Sequence, residues 1–261
     1  MLIWNSWFQA LASKNDQMSL KKGFFMKLSN IAKHACISVA LVSGLVVSGT
    51  ASALQPGGGG SGSSCSVTRA SGSGAVFYVP RGGSGTYNIL GWGNGTGGFS
   101  STYRGLLTAA AEECVLVAAA TTSSSGNGRA VESAVNQAKS RYSSIVGSNP
   151  KVCTSGHSQG GGGAFNAANR LDADCVIAVQ PDTVFTTRID RAVSSDTDVV
   201  CIFSSADTLA PAFPLNGSNC RRNSSRYTQE STSGTHFTPI SGSGGAVGTK
   251  MREYINRWLV D

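Results

Sequence analysis

Gly156-His157-Ser158-Gln159-Gly160-Gly161 is the stretch whose reading decides the fold. A β-like run, Lys151-Val152-Cys153-Thr154, leads into it, and an Ala-rich helical stretch, Gly163 to Arg170, leads out. A Gly-x-Ser-x-Gly between strand and helix makes a turn so tight that side chains two before and two after the serine would strike backbone. Both of those positions are glycine, and the serine hydroxyl is left exposed at the C-terminal end of a sheet. The pattern alone is weak in a chain with 33 glycines. Its flanks are what separate a candidate nucleophile at Ser158 from a structural glycine turn.

Outward from that turn the chain alternates strand-like and helix-like segments, the pattern of a mostly parallel sheet covered on both faces. Ala75 to Val79, Tyr87 to Trp92, Val115 to Ala119, Cys175 to Val179, Val199 to Phe203 and Arg226 to Glu230 read as strands. Ser101 to Glu113 reads as a helix, and Arg129 to Val146 as the longest one. In the latter, Val131, Ala134, Ala138, Tyr142 and Ile145 are spaced for one apolar face. Ala246 to Val260 closes the chain as an amphipathic helix with Met251, Tyr254, Ile255 and Trp258 inward. The fold class is therefore α/β.

Residues 1–53 read as an N-terminal extension and signal peptide. Met26-Lys27 opens a basic start, an apolar run spans Ile37 to Val47, and Ala51-Ser52-Ala53 supplies a small-residue cleavage pattern. The run is too short to span a bilayer. Met26 reads as the natural start. Residues 54–66 form a Gly/Ser-rich flexible segment, and 67–261 a single domain with a real core.

From Leu54 onward 16 Lys and Arg face 13 Asp and Glu. That small excess argues neither for nucleic acid nor for an anionic membrane. Six cysteines follow the leader: Cys65, Cys114, Cys153, Cys175, Cys201 and Cys220. An even count in an exported chain implies disulfides and a secreted, extracellular or periplasmic location. Cys201 with Cys220 is the preferred pair, bracing the segment that carries a candidate acid. None has the short paired spacing of a zinc site, so no metal or cofactor is expected. A monomer is expected.

A serine needs a neighbouring base. Only His157 and His236 follow the leader. His157, next to the serine on the strand-turn, points away from it, which leaves His236 in Ser233-Gly234-Thr235-His236. The acid that orients the imidazole is Asp207, just after the strand Val199 to Phe203, with Asp182 as its rival. The order Ser158, Asp207, His236 fits a hydrolase of this architecture. Backbone N–H groups of Gln159 and of Thr96, in the glycine-rich loop Gly91 to Gly98, are the candidate oxyanion donors. Trp92, in that loop, either lines the substrate or packs inside.

On these motifs the chain resembles the secreted bacterial polyester hydrolases and cutinase-like esterases of the α/β-hydrolase superfamily. The resemblance runs from about Tyr87 to Trp258. It rests on Gly156 to Gly163, on Asp207-Thr208-Leu209-Ala210-Pro211 and on Gly234-Thr235-His236. It implies an α/β-hydrolase fold without a lid domain and cleavage of carboxylic esters, including insoluble polymers, with no cofactor. Family members that cut aromatic polyesters carry a tryptophan after the strand following the elbow, as the tight serine turn is termed; here the segment is Gln180-Pro181-Asp182-Thr183-Val184-Phe185. A short-chain carboxylesterase or lipase is the runner-up. A secreted binding protein on an inactive scaffold is the alternative from another class.

Overall fold

The computed structural model describes residues 64–83 and 85–261. The proposed leader, and the Gly/Ser-rich segment up to residue 63, lie outside the described residues. Eight strands form one sheet: β1 (Ser66–Ser71), β2 (Ala75–Arg81), β3 (Ile89–Gly93), β4 (Leu116–Ala120), β5 (Val152–His157), β6 (Cys175–Val179), β7 (Asp198–Ser204) and β8 (Arg226–Thr232). Their order is β1-β2-β4-β3-β5-β6-β7-β8. β1 and β2, and β2 and β4, run antiparallel. Every other neighbouring pair is parallel.

The inner strands are continuous apolar or small runs because both faces are covered. Leu116 to Ala120 and Cys175 to Val179 are buried throughout. Alternate side chains feed two cores. Phe77, Leu116, Val176 and Cys201 meet α2 (Arg129–Arg141) and α4 (Gln159–Leu171) on one face. Tyr78, Leu90, Trp92, Ile177 and Ile202 meet α1 (Arg104–Glu112) and α6 (Gly245–Ile255) on the other. Each fully buried Leu, Ile or Val contributes about 1.5–3 kcal/mol.

Several boundaries differ from expectation. β1 begins at Ser66, inside the segment expected to be flexible, and its exposed sequence Ser-Val-Thr-Arg-Ala-Ser carries little apolar signal. It is held by its ladder to β2 and by the Cys65–Cys114 disulfide. The long helix expected over 129–146 breaks at Tyr142 (φ −115°, ψ 25°), giving α2 and a single turn, α3 (Ser143–Val146). The elbow helix starts at Gln159, not Gly163, and the last helix ends at Ile255 before a wider turn, Asn256–Val260. A short helix that the sequence did not signal, α5 (Gly217–Arg222), lies before β8.

Two disulfides form, Cys65–Cys114 and Cys153–Cys175, with Cα separations of 5.2 and 4.5 Å. Such bonds fit an oxidising compartment. Cys153 and Cys175 are direct register partners on β5 and β6. The preferred pairing of Cys201 with Cys220 is corrected: both are buried and unbonded, thiol against thiol between β7 and α5. Among the described residues no helix is long and apolar enough to cross a membrane.

Candidate active site

Ser158 sits between β5 and α4 with φ 54° and ψ −117°, a left-handed value that few non-glycine residues adopt. Strain of this kind, of order 1–3 kcal/mol, persists only where the surroundings hold it. Here the Ser158 N–H donates to the Val179 carbonyl, and its own carbonyl accepts from Asp182 and Gly162. The flanking glycines are required by backbone contact. A Cβ on Gly156 would lie 2.4 Å from the Gly160 oxygen, and one on Gly160 would lie 2.2 Å from the Gly93 oxygen. Gly163 would meet the Ser125 oxygen at 2.1 Å. The glycine run therefore lets α4 press onto β3 and the loop after β4.

Asp207 follows β7 and His236 follows β8. Asp207 Oδ2 accepts the His236 Nδ1–H at 2.8 Å, and its Oδ1 accepts the amides of Leu209 and Ala210 at 2.9 Å each. Burial alone would raise the Asp207 pKa. The hydrogen bond from His236 and those from the Ala210 and Leu209 amides outweigh it and hold the carboxyl below its ordinary range. The two loops are tied by Ser205 N–H to the Thr232 carbonyl and Ala206 N–H to the Gly234 carbonyl. Asp182, the rival acid, spends both oxygens on the amides of Val184, Phe185 and Thr186 and the Thr186 hydroxyl. Its place is to shape the loop after β6.

With Nδ1 committed to Asp207, the His236 ring lies against the elbow, its centroid 4.6 Å from that of His157. No direct hydrogen bond joins the Ser158 hydroxyl to His236 among the described residues; such contacts are often long before substrate binds. His157 does not compete for the serine. It is buried, with Nδ1 2.8 Å from the Tyr103 hydroxyl and Nε2 3.1 Å from Gln180 Oε1.

The glycine-rich loop after β3 seats on the elbow. Gly98 N–H donates to the Gly95 carbonyl, so Thr96 and Gly97 are the central pair of a turn, with Gly97 at φ 74°. Thr96 is exposed at its tip. Gln159 is the first residue of α4, where an amide has no acceptor within the helix. Its side-chain Nε2 donates to the Thr186 carbonyl, and its Oε1 is buried without a partner.

Trp92 as a substrate-lining residue is corrected. It is fully buried, 5.1 Å from the Tyr103 ring, and its indole N–H donates to Asn94 Oδ1. Asn94 in turn donates to the carbonyls of Ala120 and Thr122. Trp92 thus supports the loop from beneath. What lies open around the site is a set of other apolar side chains: Phe99, Phe185, Leu209, Phe213, Leu215 and Phe237 are all more than half exposed.

The sequence did not signal Tyr103 or Gln180 as parts of the site. Gln180 has φ 44° and leaves β6 with its side chain buried; a polar residue directly after an apolar strand was its only local sign. No cluster of three or more His, Cys, Asp or Glu that could hold a metal occurs among the described residues. Compared with known protein-family models and with curated proteins, the sequence finds no match.

Proposed function

We propose that this chain is an exported serine hydrolase of α/β-hydrolase type that cleaves carboxylic esters, with bulky polyester or cutin-like esters as its substrates. The observation that carries the reading is the Asp207–His236 hydrogen bond, brought against a strained, glycine-packed serine turn. Ser158 Oγ attacks the ester carbonyl while His236 Nε2 takes its proton. Asp207 fixes the Nδ1–H tautomer and stabilises the imidazolium. The N–H groups of Gln159 and Thr96 receive the developing oxyanion. His236 returns the proton to the departing alcohol, then activates the water that frees the acyl group.

The surroundings favour a large neutral substrate. Residues 180–197, between β6 and β7, contain no helix that could act as a lid. The loop stretches 94–103, 121–128, 181–187, 205–219 and 233–244 hold no Asp, Glu, Lys or Arg except the buried Asp182 and Asp207, and charge enters the neighbourhood through Arg188 and Arg222, which line a cavity beside Val184 and Leu215. Six exposed apolar side chains stand on them. A mostly apolar rim of this kind suits an ester polymer.

A fluorophosphonate probe should label the purified protein, with the label lost in Ser158→Ala. Clearing of emulsified polyester, measured beside turnover of soluble p-nitrophenyl esters, sets the substrate class. Turnover of soluble esters alone would move the assignment to a short-chain esterase. An unlabelled wild-type protein would remove the hydrolase reading.

A further inference from the structure

Resting on that hydrolase reading, we infer that Tyr103, His157 and Gln180 form a buried relay that holds the three reacting loops in register, with His157 as the positioning residue at its centre. The chain of bonds is continuous. Gly95 N–H donates to the Tyr103 hydroxyl oxygen at 3.2 Å, and Tyr103 Oη lies 2.8 Å from His157 Nδ1. His157 Nε2 lies 3.1 Å from Gln180 Oε1. Gln180 Nε2 then donates to the Ser204 hydroxyl at 2.7 Å and the Thr235 carbonyl at 2.8 Å.

Two backbone groups fix the direction of every proton along this line. The Thr235 carbonyl can only accept, so the Gln180 amide nitrogen must face it and the amide oxygen must face His157. His157 therefore carries its proton on Nε2 and offers a lone pair at Nδ1. The Gly95 amide can only donate, so the Tyr103 oxygen accepts from it and the Tyr103 O–H points to that lone pair. With His157 neutral, no link can be reversed without setting two donors or two acceptors face to face.

The ends of the relay fall next to the proposed reacting groups. Gly95 precedes Thr96, His157 precedes Ser158, and Thr235 precedes His236. Ser204, at the end of β7, also accepts the Asp207 N–H through its carbonyl. A shift in any link moves an oxyanion donor, the nucleophile or the base relative to the others, and misplacement of about 1 Å costs on the order of 100-fold in rate. The interior environment matches this assignment. Full burial, then the neighbouring His236, push the His157 pKa down to about 3, and burial pushes Tyr103 up to about 12. Both links stay neutral across the working range.

The test is Tyr103→Phe, which removes one hydroxyl and leaves the ring against Trp92, assayed on a soluble p-nitrophenyl ester. We expect kcat to fall by about 10–100-fold with KM changed less than about twofold, at an undiminished fluorophosphonate titre of active sites. Unchanged kcat, or a loss that merely follows the titre, overturns the relay. Imidazole ¹⁵N spectra of the wild-type protein at pH 7 give a readout that needs neither the variant to fold nor substrate: the His157 signal should be that of the neutral Nε2–H tautomer. An Nδ1–H or charged His157 overturns the relay as well. A wild-type protein that turns over no ester sinks the hydrolase reading, and the positioning role falls with it; normal turnover in Tyr103→Phe sinks the relay alone.

Discussion

The half of the candidate site that carries Ser158, the proposed nucleophile, and the half that carries His236, the proposed base, are held by different means. Around Ser158 the hold is backbone on backbone: Gly156 and Gly160 leave no room for a single methyl group, and Cys153–Cys175 staples β5 to β6. Around His236 the hold is by hydrogen bonds: the Asp207 carboxylate to the His236 ring, the Gln180 amide to the Thr235 carbonyl, and the Ser205 and Ala206 N–H groups to the Thr232 and Gly234 carbonyls, with no disulfide between Cys201 of β7 and Cys220. The first half resists displacement by steric exclusion, which has no partial failure. The second depends on polar bonds, each individually worth about 1 kcal/mol net. Under the proposed chemistry, the contacts that hold His236 are where function should be most sensitive to small changes.

Asp207→Asn gives the largest expected effect. It keeps the shape of the acid but no longer enforces the His236 tautomer, and ester turnover should fall by on the order of 10⁴-fold. Near-normal turnover would erase the distinction drawn for the base side. On the nucleophile side, replacing Cys153 and Cys175 by Ala should lower unfolding free energy in urea by about 3 kcal/mol, the figure for a loop of this length. Gly160→Ala should cost about 1–3 kcal/mol or more, because its Cβ meets a backbone oxygen that cannot rotate away.

Acid should act next, through His157. The unfolded chain binds a proton there near pH 6.5, whereas the folded chain refuses it until about pH 3. Stability contributed by neutral His157 is thus present above pH 6.5 and lost as pH falls through that window, by up to about 1.4 kcal/mol per pH unit. Urea unfolding from pH 7 to 4 measures the slope, and His157→Gln should flatten it. The smallest effect belongs to the thiols. Cys220→Ala should change stability by no more than about 1–2 kcal/mol, and a loss as large as that of the staple would show that the base side is more tightly built than its bonds indicate.

Much of this was legible in the sequence, for identifiable reasons. Gly-x-Ser-x-Gly is read from steric requirements within five residues, and strands buried on both faces announce themselves as apolar runs. Asp207 and His236 were reached by position after a strand and by elimination among two histidines. What escaped depends on contacts between distant segments. Trp92 ends a strand that the sequence announces, but which of its two readings holds is settled only by packing between β3 and the distant Tyr103, which buries the indole. Cys153 meets Cys175 only because β5 and β6 pair in that register. His157 was set aside for pointing away from the serine; its partners, Tyr103 and Gln180, lie 54 and 23 residues off in the chain. β1 is an exposed edge with no apolar pattern to read.

The exposed aromatic rim has one further consequence. Contact made through the rings of Phe185, Phe213 and Phe237 is apolar and offers dissolved ions little to screen, while salting-out ions strengthen the burial of such side chains. Under the proposed function, adsorption to a solid ester should hold as firmly in brine as in fresh water.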